Sequence, residues 1–206
     1  LGSHDAEVHA RNISERHPDI DVLVNCAGSN LFSAADRTSA DHARSLIDTN
    51  LTGTILLTQA LLPALLKRPQ ALIVNIGSTF GSIGYPGFAV YCASKFGLRG
   101  YTEALRRELA NSSVKVVYVA PRATTTEMNG DSVVAMNKAL GNAMDSPQHV
   151  AACVISAMQS ERARLSIGWP EKFFVVLNGL FTRLVDNALK KQLPIIQRFL
   201  AQEAKQ

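Results

Sequence analysis

The sequence is poor in cysteine and in charged residues, and these shortages exclude several classes of protein. Its three cysteines and five histidines show no metal-ligand spacing, and an odd number of cysteines favours free thiols over a disulfide framework. The 21 lysines and arginines are scattered, without the basic run and interleaved aromatic residues of a nucleic-acid groove. No apolar stretch reaches the length of a membrane span, because Pro63 and Lys67 interrupt the longest candidate. We therefore expect a mildly basic, cytoplasmic globular protein without a metal site or a nucleic-acid partner.

Short apolar strands alternate with long helical segments along most of the chain. Apolar runs rich in β-branched residues predict strands at 20–25, 71–76, 114–120 and 164–169. Helical periodicity predicts helices at 6–16, 39–67, 88–110 and 147–160. Pro63 should kink the second helix, Ser146 should cap the fourth, and residues 123–145 should be irregular or weakly helical. Strands that alternate with helices form βαβ units, so we predict one α/β domain over residues 1–206 with a parallel sheet covered on both faces.

Three residues that can exchange a proton with a substrate are spaced so that the predicted fold brings them together. Tyr91 and Lys95, four residues apart, share one face of the predicted helix 88–110. Ser78 follows the strand 71–76, at the edge where open parallel sheets bind their ligands. A phenol titrates near a pH of about 10, and the Lys95 ammonium should lower the pKa of Tyr91 enough for general acid/base work. The Ser78 hydroxyl would then hold a substrate oxygen.

The segment from Ser78 to Lys95 resembles the active-site signature of the short-chain dehydrogenase/reductase family. In that signature twelve residues separate a serine from a Y-x-x-x-K motif, as they do here. The N-C-A-G sequence at 25–28 resembles the family's N-N-A-G element, with cysteine at its second position. Asn50 matches the asparagine that completes the family's catalytic tetrad. The resemblance covers residues 5–169 and implies a Rossmann-type doubly wound parallel sheet.

The resemblance implies a role for each matching residue. Tyr91 would be the general acid/base, and Lys95 would lower its pKa and bind the nicotinamide ribose. Ser78 would polarise the carbonyl group, and Asn50 would hold a water in a proton relay. The residues implied to contact the cofactor are Asn25, Ala27, Gly28, Tyr91, Lys95, Pro121 and Thr126. The cofactor would be NADP or NAD, and NADP is our preference by analogy with the family's reductases.

Two departures from the family pattern concern the cofactor site. Arg122 follows Pro121 where the family usually has a glycine, so a large cation occupies a loop of close approach. The family's glycine-rich turn, which binds the pyrophosphate at a helix N-terminus, has no counterpart in this sequence. The glycines that could be mistaken for it follow the wrong strand and surround Ser78; they are Gly77, Gly81, Gly84 and Gly87.

The first predicted strand, 20–25, would lie at an edge of the sheet although its sequence is typical of a strand buried on both faces. An exposed edge of this kind promotes aggregation. Either a partner chain covers it, or strands that precede Leu1 are absent from this chain. We favour the second alternative, because a dinucleotide-binding fold has two βαβαβ halves and this sequence supplies one. We thus expect the first, glycine-rich strands and helices of the fold to be missing here.

Two segments outside the catalytic part at 20–126 are predicted to shape substrate binding. Residues 123–146 would form a substrate loop, and residues 170–206 form an unusually apolar tail. The tail could lie on a membrane surface, or it could cover the substrate cleft and a subunit interface. We favour the packed alternative, since the apolar residues spread widely around a helix. Its apolar character suggests a lipophilic carbonyl or alcohol as the substrate.

The residues and the resemblance together predict an NAD(P)-dependent oxidoreductase that interconverts a carbonyl compound and a secondary alcohol. The alternative is a non-catalytic nucleotide-sensing or assembly partner of the same fold, and the complete tetrad argues against it. The family also implies a homodimer or a homotetramer, with the predicted helices 39–67 and 88–110 commonly at the interface.

Overall fold

Four strands form the centre of the fold. The computed structural model describes residue 8 and residues 11–13 and 15–203. The strands are β1 (Val22–Asn25), β2 (Ala71–Ile76), β3 (Val114–Ala120) and β4 (Arg164–Ser166). Within the described residues they form one parallel sheet in the order β1-β2-β3-β4. All four predicted strands are confirmed, and β4 is shorter than predicted.

Helices connect the strands and continue beyond the last one. They are α1 (Ala40–Ile47), α2 (Gly53–Leu65), α3 (Ala89–Glu108), α4 (Asp131–Leu140), α5 (Pro147–Gln159), α6 (Glu171–Leu180) and α7 (Thr182–Glu203). A π turn, Asp48–Thr52, joins α1 to α2, so the predicted helix 39–67 is irregular at its middle. The kink predicted at Pro63, inside α2, stays a prediction. The predicted helix 6–16 is helical wherever the structure describes it, and its other residues lie outside the described part.

The side chains of β2 and β3 point alternately to the two faces of the sheet. Because both strands are almost entirely apolar, a hydrophobic core lies on each face. On one face Ile73 and Val116 pack against α2 and α3. On the other face Val74 and Val117 pack against α5, around Ala157. A parallel sheet with helices on both faces is the doubly wound, Rossmann-type arrangement. The predicted fold class is confirmed.

β1 lies at the edge of the sheet and is covered on only one of its faces. Leu23 and Asn25 are buried on the face that α2 covers, whereas Val22 and Val24 on the opposite face are 38% and 42% exposed. The prediction that this strand is buried on both faces is therefore wrong for the described part of the chain. The reason is that α5, which covers that second face, packs at β3 rather than over β1.

The segment predicted to be irregular or weakly helical, 123–145, contains the regular helix α4. The helix ends at Gly141, whose φ of 69° is in the left-handed region that favours glycine at a helix C-terminus. Val133 and Met136 on its apolar side are buried in one cluster with Ile196 of α7. The apolar residues of α4 therefore pack against α7, a contact that the sequence around α4 does not indicate. Ser146, just beyond it, caps α5 as predicted, because its side chain accepts a hydrogen bond from a first-turn N–H.

The tail beyond residue 170 is packed on one side and exposed on the other. Val185 and Ile196 on the inner face of α7 are buried. From Trp169 onward, the apolar side chains that are at least half exposed are Trp169, Phe173, Val176, Leu180, Phe181 and Leu184. Among the described residues, no helix combines the length and the apolar character needed to cross a bilayer. The inner face of α7 is therefore packed against the rest of the protein, as favoured from the sequence. Contact of the exposed face with a membrane surface remains the untested alternative.

Candidate active site

Ser78, Tyr91 and Lys95 meet at the carboxyl end of β2. Ser78 follows the strand directly, and its Oγ accepts a hydrogen bond of 3.1 Å from the Phe80 N–H, which caps a single 3₁₀ turn. Lys95 Nζ donates to the carbonyl oxygen of Ile76 at 3.2 Å and lies 5.8 Å from the centroid of the Tyr91 ring. The Ser78 hydroxyl proton remains available to another acceptor, because the bond from Phe80 uses only a lone pair. The structure therefore brings the three predicted side chains together.

Burial, more than charge, decides how this group titrates. Burial raises the pKa of Tyr91, and a hydrogen bond with Ser78 opposes that rise without reversing it. Burial also lowers the pKa of Lys95 from 10.5 to about 8. The prediction that Lys95 brings the pKa of Tyr91 below its ordinary value is wrong for this structure, because desolvation of the phenolate is the largest influence on that pKa. Tyr91 is accordingly a protonated phenol at neutral pH.

Asn50 is fully buried in the π turn and connects two other segments. Its Oδ1 accepts a hydrogen bond from the Ser29 N–H at 2.7 Å. Its Nδ2 donates to the Ser29 carbonyl oxygen at 2.9 Å and to Ser94 Oγ at 3.1 Å. Both amide protons of Asn50 are therefore used within the protein. The relay role stays a prediction.

The N-C-A-G sequence after β1 brings the backbone close to the catalytic residues. A Cβ atom on Gly28 would lie 3.3 Å from Asn50 Oδ1 and 3.6 Å from Lys95 Nζ, so a glycine allows this approach. Cys26, at the position of the family's second asparagine, is exposed and lines the same cleft as Gly28. Gly28, a predicted cofactor contact, thus lines the cleft beside Asn50 and Lys95.

Asn25 supports this floor from inside the sheet. Its Nδ2 donates to Thr58 Oγ1 at 3.0 Å and to Asn75 Oδ1 at 2.8 Å, and all three side chains are buried. Neither Asn25 nor Ala27 is among the residues that line the cleft. The structure therefore gives Asn25 a buried, supporting position, whereas Ala27 is exposed, and direct contact of either residue with a cofactor stays a prediction.

Arg122, the departure from the family pattern, binds two carboxylates from later parts of the chain. Its Nε and Nη2 donate to the two oxygens of Asp145 at 3.0 and 2.8 Å. Its Nη1 donates to Glu171 at 3.2 Å and to the Trp169 carbonyl oxygen at 3.1 Å. The hydrogen bond to Asp145 is the main reason why the pKa of Arg122 is raised. The arginine thus ties the loop after β3 to the starts of α5 and α6.

The catalytic residues open into a cleft of about 720 Å³. Pro121 and Thr126, the remaining predicted cofactor contacts, both line it. Its apolar wall includes Ile83, Phe88, Val133, Met136, Val185 and Leu189. These side chains come from the loop before α3, from α4 and from α7, so the segment 123–146 and the tail both contribute to the wall. Walls of this kind bind the apolar part of a ligand.

The cleft fits the nicotinamide half of a dinucleotide better than its pyrophosphate half. Two hydroxyl groups and one amino group converge in a cleft whose walls are largely apolar, which is a donor set suited to a carbonyl oxygen and a ribose hydroxyl. The nearby glycines do not form a phosphate-binding turn, since a Cβ atom on Gly77 or Gly81 would collide with the Tyr118 side chain. Gly77 and Gly81 thus leave room for the Tyr118 ring. This packing role agrees with the prediction that they do not form a pyrophosphate-binding turn.

Residues 3–137, which contain the whole catalytic group, match the family model described as short chain dehydrogenase. The chain belongs to this family. Its recognition from the sequence is confirmed.

Individual relatives agree with this assignment. A 3-oxoacyl-[acyl-carrier-protein] reductase of Bos taurus is 37% identical over 128 residues, which cover 62% of this chain and 54% of the relative. Dehydrogenase/reductase SDR family member 7B of Bos taurus is 30% identical over 185 residues, covering 84% and 57%. The chain thus spans little more than half the length of these curated relatives. A solved short-chain dehydrogenase from Streptomyces avermitilis superposes with a TM-score of 0.76 at 27% identity, over 92% of this chain and 76% of that one.

The sequence did not reveal the polar residues that later elements bring to the cleft. Asp145 and Glu171 lie 23 and 49 positions from the arginine they bind. Tyr85 and Gln192, which bond to each other in the cleft, are 107 positions apart. No spacing rule links residues at such separations, so no sequence signal could have found these pairs.

In the part of the chain that the structure describes, no three His, Cys, Asp or Glu side chains are placed to hold a metal ion.

Proposed function

We propose that the protein containing this chain is an NAD(P)-dependent oxidoreductase that interconverts a carbonyl compound and a secondary alcohol. The observation that carries the proposal is the convergence of Ser78, Tyr91 and Lys95 in an apolar cleft at the carboxyl end of β2. Open parallel sheets bind their ligands at this edge. The alternative, a non-catalytic nucleotide-sensing or assembly partner, does not require a lysine buried beside a tyrosine and a serine, and burying an ammonium group lowers stability.

In the reductive direction, Tyr91 donates the proton. The chemistry that a nicotinamide cofactor would supply, when held by these residues, is hydride transfer to the carbonyl carbon. The Ser78 hydroxyl donates a hydrogen bond to the carbonyl oxygen, and Tyr91 transfers its phenolic proton to the same oxygen as the alcohol forms. The ammonium of Lys95, on the same face of α3, stabilises the phenolate that remains. The raised pKa of Tyr91 keeps this proton in place at neutral pH, which suits reduction.

The residues that we propose to hold the nicotinamide–ribose half are Gly28, Tyr91, Lys95, Pro121 and Thr126. All of them line the cleft. NADP is preferred over NAD by analogy with reductases of the family. The apolar wall supports a lipophilic substrate, and so does the relative named as a 3-oxoacyl-[acyl-carrier-protein] reductase, because a 3-oxoacyl group has its carbonyl on an apolar chain.

The proposal is tested by turnover and binding in the full natural protein. Oxidation of NADPH and NADH is followed with medium-chain ketones as substrates, and nucleotide binding is measured by fluorescence titration. Tyr91→Phe should remove nearly all turnover and leave nucleotide binding intact, because only the transferable proton is lost. Tyr101→Phe, a change of the same kind at a tyrosine packed in the core around Leu105, is the control. A wild-type protein that binds nucleotide but turns over no ketone would favour the nucleotide-sensing alternative.

A further inference from the structure

A cluster of uncharged polar side chains lies in the apolar cleft beside the catalytic group. The cluster, here called the amide subsite, consists of Tyr85, Asn137, Asn142 and Gln192. We infer that the amide subsite binds an uncharged hydrogen-bonding group of the substrate, a hydroxyl or an amide, while the reacting carbonyl is held by Ser78. This inference rests on the proposed function and specifies the class of substrate.

Hydrogen bonds join the members of the amide subsite across three elements. The Tyr85 hydroxyl, in the loop before α3, donates to Gln192 Oε1 of α7 at 2.9 Å. Asn142, just after α4, hydrogen-bonds the same phenol, and its Nδ2 donates to Asn137 Oδ1 at 3.1 Å. The side chains are therefore held in fixed relative positions, as a recognition site requires.

The subsite still has hydrogen-bonding capacity to offer a ligand. Gln192 Nε2 has no hydrogen-bond partner among the described residues, although its carboxamide is held through Oε1 by Tyr85. Turning the carboxamide over would exchange the two atoms and leave the oxygen available instead. A half-buried carboxamide with one free polar atom, in a cleft with apolar walls, gains a partner when a ligand supplies a hydroxyl or an amide.

The subsite favours an uncharged group because no free charge faces it. The charged residues that line the cleft in the described part of the chain are Lys95, Arg122 and Glu171. Arg122 and Glu171 bind each other, and Lys95 lies beside Tyr91. A carboxylate or an ammonium group at the subsite would therefore lose its hydration without gaining a counter-ion.

The Phe80 ring contacts both the catalytic tyrosine and the tyrosine of the amide subsite. Its centroid is 6.3 Å from that of Tyr91 and 4.8 Å from that of Tyr85, on which it stacks. The stretch between is apolar, so several carbon atoms should separate the carbonyl group from the second polar group. The substrate expected from the cleft is thus a ketone with a hydroxyl or an amide several bonds away along an otherwise apolar chain.

Two ketones that differ only in a terminal hydroxyl test the inference. The kcat/KM of the full natural protein is measured for a medium-chain 2-ketone and for the same ketone with an ω-hydroxyl group. The wild type should prefer the hydroxyketone, and Gln192→Leu should reduce that preference roughly tenfold, mainly through KM. Gln197→Leu, on the exposed side of the same helix, is the matched control and should keep the preference.

Binding is followed separately, so that failure of the inference differs from failure of the proposed function. The rise in Tm produced by each ketone is measured with the wild type, Gln192→Leu and Gln197→Leu. A larger rise with the hydroxyketone that is lost only in Gln192→Leu supports the subsite, even where no turnover is seen. Equal rises for both ketones in the wild type, or the same loss in both variants, would overturn it. Absence of turnover with every ketone contradicts only the proposed function.

Discussion

At the scale of a single residue, the buried ammonium group of Lys95 lowers the stability of the fold. The side chain is 5% exposed, and its one hydrogen bond in the described structure goes to the Ile76 carbonyl. An ammonium group with so little compensation is costly to bury, and the lowered pKa of Lys95 reflects that cost. Groups held in such surroundings cluster at functional sites, because the chemistry requires a perturbed titration.

Replacing this lysine should therefore stabilise the fold while it removes activity. The pKa of Lys95 is about 8 in the fold against an ordinary 10.5, so between these values the unfolded chain binds more protons. The free energy of unfolding of the wild type consequently rises with pH through that interval. Lys95→Met lacks this titration, so its advantage, about 2 kcal/mol at a pH of about 7, should fade as the pH approaches 10.5.

Urea unfolding at both ends of this pH range measures the effect. Lys115→Met, at an exposed lysine of β3, is the control and should show no comparable difference between the two conditions. A Lys95→Met variant that is less stable than the wild type at neutral pH would mean that the hydrogen bond to Ile76 outweighs the cost of burial.

Connections between elements depend on a few polar ties. Arg122 joins the loop after β3 to the starts of α5 and α6, and Asn50 joins the π turn to the loop after β1 and to α3. The side chains of Arg122 and Asp145 are only 15% and 9% exposed, so their attraction is little screened by solvent. The ion pairs of Arg122 and the hydrogen bonds of Asn50 therefore fix the positions of the segments that form the cleft.

A double-mutant cycle should show strong coupling between the two residues of this ion pair. Arg122→Ala leaves the Asp145 carboxylate buried without its main partner and should lower the free energy of unfolding by about 3 kcal/mol. Removing both partners should cost less than the two single changes added together. The same cycle on Arg44 and Asp41, whose side chains are 75% and 94% exposed, is the control and should give a coupling near zero. Equal coupling in the two cycles would contradict the role given to Arg122.

Two surfaces in the described part of the molecule carry exposed large apolar side chains. One is the surface of the long helices, where Phe96 of α3 is 42% exposed and Leu66, just after α2, is 44% exposed. The other is the outer face of the tail, where Leu180 is 71% exposed. Large apolar side chains exposed in this way are found in contacts with another molecule. A homodimer or a homotetramer, as the family implies, would cover one of these surfaces or both.

The two surfaces can be distinguished by the mass of the particle in solution. We expect the long helices to form the interface, so Phe96→Glu should shift the full natural protein to a smaller species, because the new charge would be buried in the contact. Light scattering after size-exclusion chromatography measures the mass. Leu180→Glu is the comparison and should leave the mass unchanged. A smaller particle with Leu180→Glu alone would place the interface on the tail instead.

Secondary structure and fold class could be predicted from the sequence because they depend on local pattern. The apolar runs of β2 and β3 and the helical spacing of Tyr91 and Lys95 are visible in any short window. The π turn around Asn50 could not be predicted, since it adds no change in polarity to the helical pattern. The titration of Tyr91 was predicted in the wrong direction, because spacing indicates which charges are near but not how completely water is excluded.

The sequence by itself determined that this chain forms a parallel α/β sheet with a serine, a tyrosine and a lysine at one edge, because the apolar runs, the helix spacing and the position of Ser78 just after a strand indicate that arrangement. Only the tertiary structure decided the exposure of β1, the partners of Arg122 and the composition of the cleft. Tyr85 and Gln192, for example, are neighbours only after α7 packs on α4. Contacts of that range depend on how whole elements pack, and no local pattern contains that information.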